Sequence, residues 1–254
     1  ILKYKNDIIG YLFLKSVFTV NKKDYIKSIF GTNDLNHLGV NNYNKKINKA
    51  PISLGGDIFL LKSKVKKYFK YDNLKNIKKI KKNNKRDVAF STRNIPHIGH
   101  NLIQQNILKR KKNLSIFLIL GIKNKYNEKI LINSYKSLKK NKIFKNLNLF
   151  FIYLPSFFAG PNEAFFQAKI FENLKYNYFY VGRDHAGYKF YYNKFESQSI
   201  FNKLKTKIKI IKLNEPVICN KCEYVFFNKF KKICPNCSNN DLLELNGSDI
   251  KILI

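Results

Sequence analysis

The sequence predicts an α/β protein: a parallel sheet covered by helices, preceded by a small β-rich segment and followed by a short cysteine-bearing lobe. Three observations predict it. Between residues 87 and 213, apolar runs of strand length alternate with stretches of helical length, which is the rhythm of a parallel sheet. Before residue 63 the apolar residues recur closer to every second position than to every 3.6, as in strands. Beyond residue 213 lie all four cysteines of the chain, in two C-x-x-C pairs.

The segments follow in order. "IIGYLFL", "KSVFTV" and "SLGGDIFLL" read as short strands, with the turn-rich "FGTNDLNHLGV" between them. Residues 63–86 are dense in lysine and asparagine and read as a helix and linker. Next come the strand "DVAFST", the helix "HNLIQQNILKRKK", the strand "LSIFLILGI", the helix "EKILINSYKSLKK" and the strand "LNLFFIYLP". "GPNEAFFQAKIFENL" reads as a helix with Pro161 in its first turn, where a missing N–H is harmless. "YNYFYVG", "ESQSIFNKL" and "KIKIIKL" complete the series as strand, helix and strand. The expected division is 1–64 for the β-rich part, 65–213 for the α/β domain and 214–254 for the cysteine lobe.

At 254 residues and 44% hydrophobic, the chain can bury a real core. Lys+Arg 49 against Asp+Glu 16 gives a net charge of +33, which read literally points to nucleic acid or an anionic membrane. The excess is nearly all lysine, it is spread along the whole chain, and it accompanies heavy use of Asn, Ile, Phe and Tyr. Solvated lysine faces explain that pattern, so nucleic acid is disfavoured as a partner, although the field still draws in anionic substrates. No apolar run approaches the about 20 residues of a membrane span, and residues 1–20 lack the layout of a cleavable signal. The expectation is a cytoplasmic protein with no membrane partner. Beginning at Ile1 and holding no Met, the chain reads as an excerpt of something longer.

Ligands of such sheets bind at the carboxyl ends of the strands, and two unusual turns fall there: "STRNIPHIGH" after "DVAF" and "GRDHAG" after "YNYFYV". A helix N-terminus presents unpaired N–H groups and partial positive charge, which suit phosphate. His97 and His100, three residues apart at that first turn, share a face and can both donate to phosphate oxygens. Gly99 between them permits close approach of a nucleotide. The chain spends only four arginines, and Arg93 and Arg183 fall in these turns, where a planar fork makes paired oxyanion contacts that lysine cannot. The bland reading is that the two histidines only cap the helix. Against it, all four histidines, His37 and His185 included, sit in glycine-bearing turns.

Cys219-x2-Cys222 and Cys234-x2-Cys237, eleven residues apart, have the spacing of a zinc ribbon, and four thiolates suit a tetrahedral, structural Zn²⁺. With every position filled by sulfur, none is left for catalysis, and the metal adds folding energy to a small lobe. Contact with nucleic acid through the intervening "FFNKFKK" is the alternative role.

The H-x-G-H turn is shared by nucleotidyltransferases and class I aminoacyl-tRNA synthetases, and "PHIGH" by itself resembles the synthetase signature. The ordered series "FGTNDLNHLGV", "SLGGDIFLL", "FSTRNIPHIGH", "FAGPNEA", "GRDHAG", "CNKC" with "CPNC", and "LNGSDIK" resembles instead the ATP sulfurylase (sulfate adenylyltransferase) family, from about residue 8 onward. A synthetase reading leaves "GRDHAG" unexplained, and this sequence shows no "KMSKS"-like loop. The resemblance implies a Rossmann-like nucleotidyltransferase domain, a PUA-like β domain lacking its first half, and a closing phosphate loop. It implies that sulfate attacks the α-phosphorus of ATP, giving adenosine 5′-phosphosulfate and pyrophosphate, with Mg²⁺ accompanying the nucleotide. A homo-oligomer is compatible with it.

Carried over by residue, the resemblance makes Thr92, Arg93 and Asn94 the catalytic triplet, with Arg93 between sulfate and phosphate. It gives His97 and His100 the role of stabilising the transition state through the phosphates. Gly182, Arg183, Asp184 and His185 match the nucleotide-binding turn, and Ala186 offers its backbone N–H to sulfate. Ser91 stands where the family has a sulfate-contacting glutamine, and Lys251 where it has an arginine. Phe157 and Asn162 replace arginines, Gln167 replaces a histidine, and the proline after Asn94 has moved to Pro96. These departures leave a second reading, a catalytically weakened homologue kept for binding a nucleotide, a partner or RNA.

Overall fold

Strands β4 (Val88–Thr92) and β5 (Leu114–Leu120) are buried along their whole length, so neither shows the alternation of a half-exposed strand. They form the middle of a five-stranded sheet with β6 (Leu147–Tyr153), β7 (Tyr178–Val181) and β8 (Lys209–Lys212), in the order β6-β5-β4-β7-β8. Every pairing in it is parallel. The structure is a computed structural model that describes residues 1–77, 87–111, 113–121, 127–141, 144, 146–227 and 238–245. The α/β prediction with a parallel sheet holds in this domain, strand for strand.

Three helices join these strands: α4 (Ile98–Arg110), α5 (Glu128–Lys140) and α6 (Pro161–Asn173). A fourth, α7 (Glu196–Lys203), precedes β8. Pro161 sits in the first turn of α6 as the sequence predicts, and Asn127 caps α5 through its side chain, which satisfies a donor the helix itself cannot. Successive residues of β4 face opposite sides. Val88 and Phe90 pack with Ile103, Ile107, Leu131 and Tyr135 of α4 and α5, whereas Ala89 packs with Ala164, Ala168 and Phe171 of α6. The chain therefore leaves β4 toward one face and β7 toward the other. The gap at their carboxyl ends is the topological switch point of the sheet, where open α/β folds bind ligands.

The N-terminal segment is a three-stranded antiparallel sheet of β1 (Leu2–Tyr4), β2 (Asp7–Thr19) and β3 (Ile52–Leu60). This segment departs from the run of short strands and loops expected of it. "IIGYLFL" and "KSVFTV" belong to one strand, and two helices, α1 (Lys22–Phe30) and α2 (Leu38–Lys49), stand where strands and loops were expected. The reason lies in tertiary packing. Ile26, Phe30 and Val40 bury against Ala159 and Phe157 of the distant α6 entry, a partner that local periodicity cannot reveal. On β2 and β3, Phe13, Val17, Leu54, Ile58 and Phe59 remain exposed.

Helix α3 (Lys62–Tyr68) and a single 3-10 turn at Leu74–Asn76 follow. The C-terminal lobe is a small antiparallel sheet of β9 (Pro216–Cys219), β10 (Val225–Phe227) and β11 (Leu242–Glu244), ordered β10-β9-β11 and packed on α4. Cys219 is buried at the end of β9 beside Val217 and Phe226, and Cys222 is exposed in the following turn. Cys234, Cys237 and Lys251 lie outside the described residues. Among the described residues no cluster of three or more His, Cys, Asp or Glu could hold a metal ion, and no helix is long and apolar enough to cross a membrane.

Candidate active site

Beyond β4 the backbone turns sharply, with the Thr92 hydroxyl accepting the Asn94 N–H at 3.1 Å. His97 then starts α4 as its N-cap, and its Nδ1 accepts the His100 N–H at 3.3 Å. A ring nitrogen that accepts carries no proton, so neutral His97 must hold its hydrogen on Nε2. Capping and ligand binding are therefore compatible, because they use different nitrogens. The two imidazoles stack with centroids 3.8 Å apart. Burial pulls His97 down from 6.5 to about 4. It pulls His100 well below its ordinary value, and the neighbouring His97 adds to that. Nδ1 of His100 is buried and has no hydrogen-bond partner among the described residues. A Cβ on Gly99 would press on the His97 ring at 3.3 Å, so this glycine lets the ring lie against the helix start.

Arg93 follows Thr92 and is partly buried. Its Nη1 donates to the Ser156 hydroxyl, and its guanidinium lies over the Phe158 ring, 4.8 Å from the centroid. Burial lowers its pKa, against the pull of Glu163 and Asp184. A cation so placed favours an anion that replaces the lost water.

The second turn follows β7. Asp184 and Ala186 take φ of 51° and 58°, left-handed values that cost a non-glycine residue about 1 kcal/mol or more and gather at ligand sites. The Ala186 carbonyl accepts the Gly160 N–H at 3.1 Å, and the Asp184 N–H donates to the Lys194 carbonyl at 2.9 Å, so the turn is tied to the start of α6 and to the segment entering α7. Gly160, with φ 47°, faces the Tyr192 ring so closely that a Cβ would meet it at 2.7 Å. His185 is pulled by burial to about 4, and the Arg93 charge adds to that. Its Nε2 lies 3.0 Å from Gln167 Oε1, which also accepts the Ser91 hydroxyl at 2.7 Å.

Both turns border one cavity of about 750 Å³, lined among others by Ser91, Thr92, Arg93, Asn94, His97 and His100 from the first turn and by residues 182–187 from the second. Arg93, His97, His100 and Arg183 thus share a single space. Arg183 is already engaged there. Its Nη1 donates to Glu215 Oε2 and to Glu244 Oε2, both at 2.6 Å, and Lys194 bridges to the same two carboxylates.

A family model described as ATP-sulfurylase matches residues 69–254. The chain belongs to the ATP-sulfurylase family. Among its curated relatives, the sulfate adenylyltransferase of Staphylothermus marinus is 28% identical over 100% of this chain and 66% of its own length. That of Thermococcus onnurineus is 32% identical over 93% of this chain and 63% of its own. The chain thus spans just under two thirds of the length of these ATP-sulfurylase relatives. Among solved structures, a hexameric APS kinase from Thiobacillus denitrificans shares the fold, with a TM-score of 0.57 and 10% identity over 96% of this chain and 42% of that one.

Family membership answers the synthetase resemblance of "PHIGH", because the matched stretch takes in both turns and the C-terminal lobe. The sequence reading of this ATP-sulfurylase chain named neither Glu215 nor Glu244 nor Lys194, the partners that hold Arg183. The chain has only 16 acidic residues, so a buried carboxylate is notable, but nothing beside Glu215 in the sequence marks it as buried. Glu163, whose Oε2 accepts the N–H groups of Phe157 at 3.1 Å and Ala159 at 3.3 Å, was missed for the same reason.

Proposed function

We propose that the chain carries the active site of a sulfate adenylyltransferase. A sulfate oxygen attacks the α-phosphorus of ATP, the bond from that phosphorus to the bridging oxygen breaks, and adenosine 5′-phosphosulfate and pyrophosphate result; the reverse reaction uses the same site. The observation that carries this reading is the convergence of Arg93, His97, His100 and the 182–187 turn on one cavity at the switch point. Sulfate arrives without a proton, so the attack needs no general base. What it needs is the juxtaposition of two anions and stabilisation of charge on the phosphoryl oxygens.

In this reading Thr92, Arg93 and Asn94 grip the junction, with Arg93 between sulfate and the α-phosphate. His97 donates from Nε2 to phosphate oxygens, and His100 acts beside it. Gly182, Arg183, Asp184 and His185 hold the nucleotide, the Ala186 N–H and Ser91 border the sulfate, and Lys251 closes over the phosphates. Mg²⁺ comes bound to ATP and neutralises its phosphates. Of the carboxylates that line the cavity, Glu163, Asp184 and Glu215, Glu163 is committed to backbone N–H groups and Glu215 to Arg183 and Lys194, and the described residues hold no cluster that would cage the ion.

The segment from the end of β9 to β10, which carries Cys219 and Cys222, fits half of a four-thiolate zinc site by its C-x-x-C spacing, and Cys234 and Cys237 would supply the rest. The N-terminal sheet is assigned to a partial PUA-like domain, and the thiols fit a reducing, cytoplasmic setting. Pyrophosphate release from ATP that depends on sulfate or molybdate tests the main reading. A second reading, a weakened homologue that only binds nucleotide, is favoured by the neutralisation of Arg183 by two carboxylates; a folded protein that binds ATP but releases no pyrophosphate with either anion would establish it.

A further inference from the structure

Gln167 lies on α6 with 3% of its surface exposed, and its carboxamide joins three elements. Oε1 faces the Ser91 hydroxyl at the end of β4, at 2.7 Å, and His185 Nε2 in the turn after β7, at 3.0 Å. Nε2 faces Glu163 Oε1 one helical turn back, at 3.4 Å. Chemistry sets the orientation of this amide. Burial raises the pKa of Glu163, but the Arg93 charge and the backbone N–H groups work against that and favour the carboxylate, so Glu163 is an acceptor and the NH₂ group turns toward it. The hydroxyl and the imidazole can each donate, so both point at the oxygen.

Two consequences follow. The Ser91 proton is used on Gln167, so Ser91 supports the amide instead of donating to an anion itself. Two donors on one carbonyl also polarise the amide and strengthen its N–H groups as donors. Gln167 borders the same cavity as Arg93 and Ala186.

We infer that Gln167 is the residue that selects the anion, presenting a side-chain N–H, backed by Ser91 and His185, to a fully deprotonated tetrahedral dianion beside Arg93. The inference rests on the proposed sulfate site and names its specificity. Sulfate, selenate and molybdate carry no proton at neutral pH and only accept hydrogen bonds. Hydrogen phosphate carries an O–H that needs an acceptor; the groups that face the anion, the Gln167 N–H and the Arg93 guanidinium, only donate, and Glu163 beside Gln167 is already taken by two backbone N–H groups and by the amide itself, so that proton is left unpaired, a loss of roughly tenfold in affinity.

The test compares the wild-type chain with Gln167→Met, which keeps length but has no N–H, and Gln167→Glu, which turns the donor into an acceptor. Steady-state pyrophosphate release should show the KM for sulfate or molybdate raised about tenfold or more in both, with the KM for ATP within about twofold. Inhibition by inorganic phosphate should strengthen relative to sulfate in Gln167→Glu only. Thermal unfolding with millimolar sulfate or phosphate gives a readout independent of turnover: sulfate should raise the midpoint of the wild type and not that of Gln167→Met. If the wild type never releases pyrophosphate but keeps this sulfate-dependent shift and the variant loses it, the activity falls and the role of Gln167 stands. A sulfate KM unchanged in both variants, or a sulfate shift equal in wild type and Gln167→Met or absent from both, would overturn it.

Discussion

Nδ1 of His97 accepts the backbone N–H of His100 at 3.3 Å while the two rings stack 3.8 Å apart, so one histidine caps the start of the helix and still presents Nε2–H. This division of labour separates stability from activity. An asparagine at the same position also caps a helix, through its side-chain oxygen, but cannot place a donor where the imidazole Nε2 is. His97→Asn should therefore unfold within about 1 kcal/mol of the wild type and lose about a hundredfold or more in sulfate-dependent pyrophosphate release. Equal turnover by the two proteins would show that the ring only caps.

Acid should destabilise the fold through its histidines. His97 and His185 are held at about 4 by burial, against 6.5 for the ordinary group. Between those values the unfolded chain binds protons that the folded chain refuses, so stability rises with pH across that window and is lost as pH falls through it. The full difference is at most about 3 kcal/mol for each group. Urea unfolding at pH 7, 5.5 and 4.5 measures it, and a free energy independent of pH would contradict the burial of these rings.

The Arg183 cluster makes a prediction of its own. Glu244 is exposed and Glu215 is buried, so their neutralisation should differ. Glu244→Gln should leave stability within about 1 kcal/mol and lower the KM for ATP several-fold, because one competitor for Arg183 is gone. Glu215→Gln should cost about 3 kcal/mol, since it breaks an ion pair shielded from water. Denaturant midpoints and ATP titration of the two variants distinguish these outcomes.

Metal analysis of the purified chain should find about one zinc per chain if four thiolates close the C-terminal lobe. A strong chelator should then lower the thermal midpoint, and Cys222→Ser should lose the metal along with the added stability. A metal-free preparation with an unaltered midpoint would rule out a structural role for zinc.

Much of this protein was legible in its sequence because the decisive signals are local. A strand buried on both faces reads as a nearly continuous apolar run, broken in "LSIFLIL" only by Ser115, and the turns that carry Arg93, His97, His100 and Arg183 stand out by residue type and spacing. Tertiary structure decided what depends on partners far away in the chain. Helices α1 and α2 form where Phe30 and Val40 can bury against Ala159, more than a hundred residues away, and Arg183 meets carboxylates from the residue just before β9 and from β11. Gln167 belongs to the anion site only because β4 turns Ser91 toward α6 while β7 delivers His185 to the same amide. A linear pattern records which face of an element is apolar, but not which distant side chain will stand opposite it.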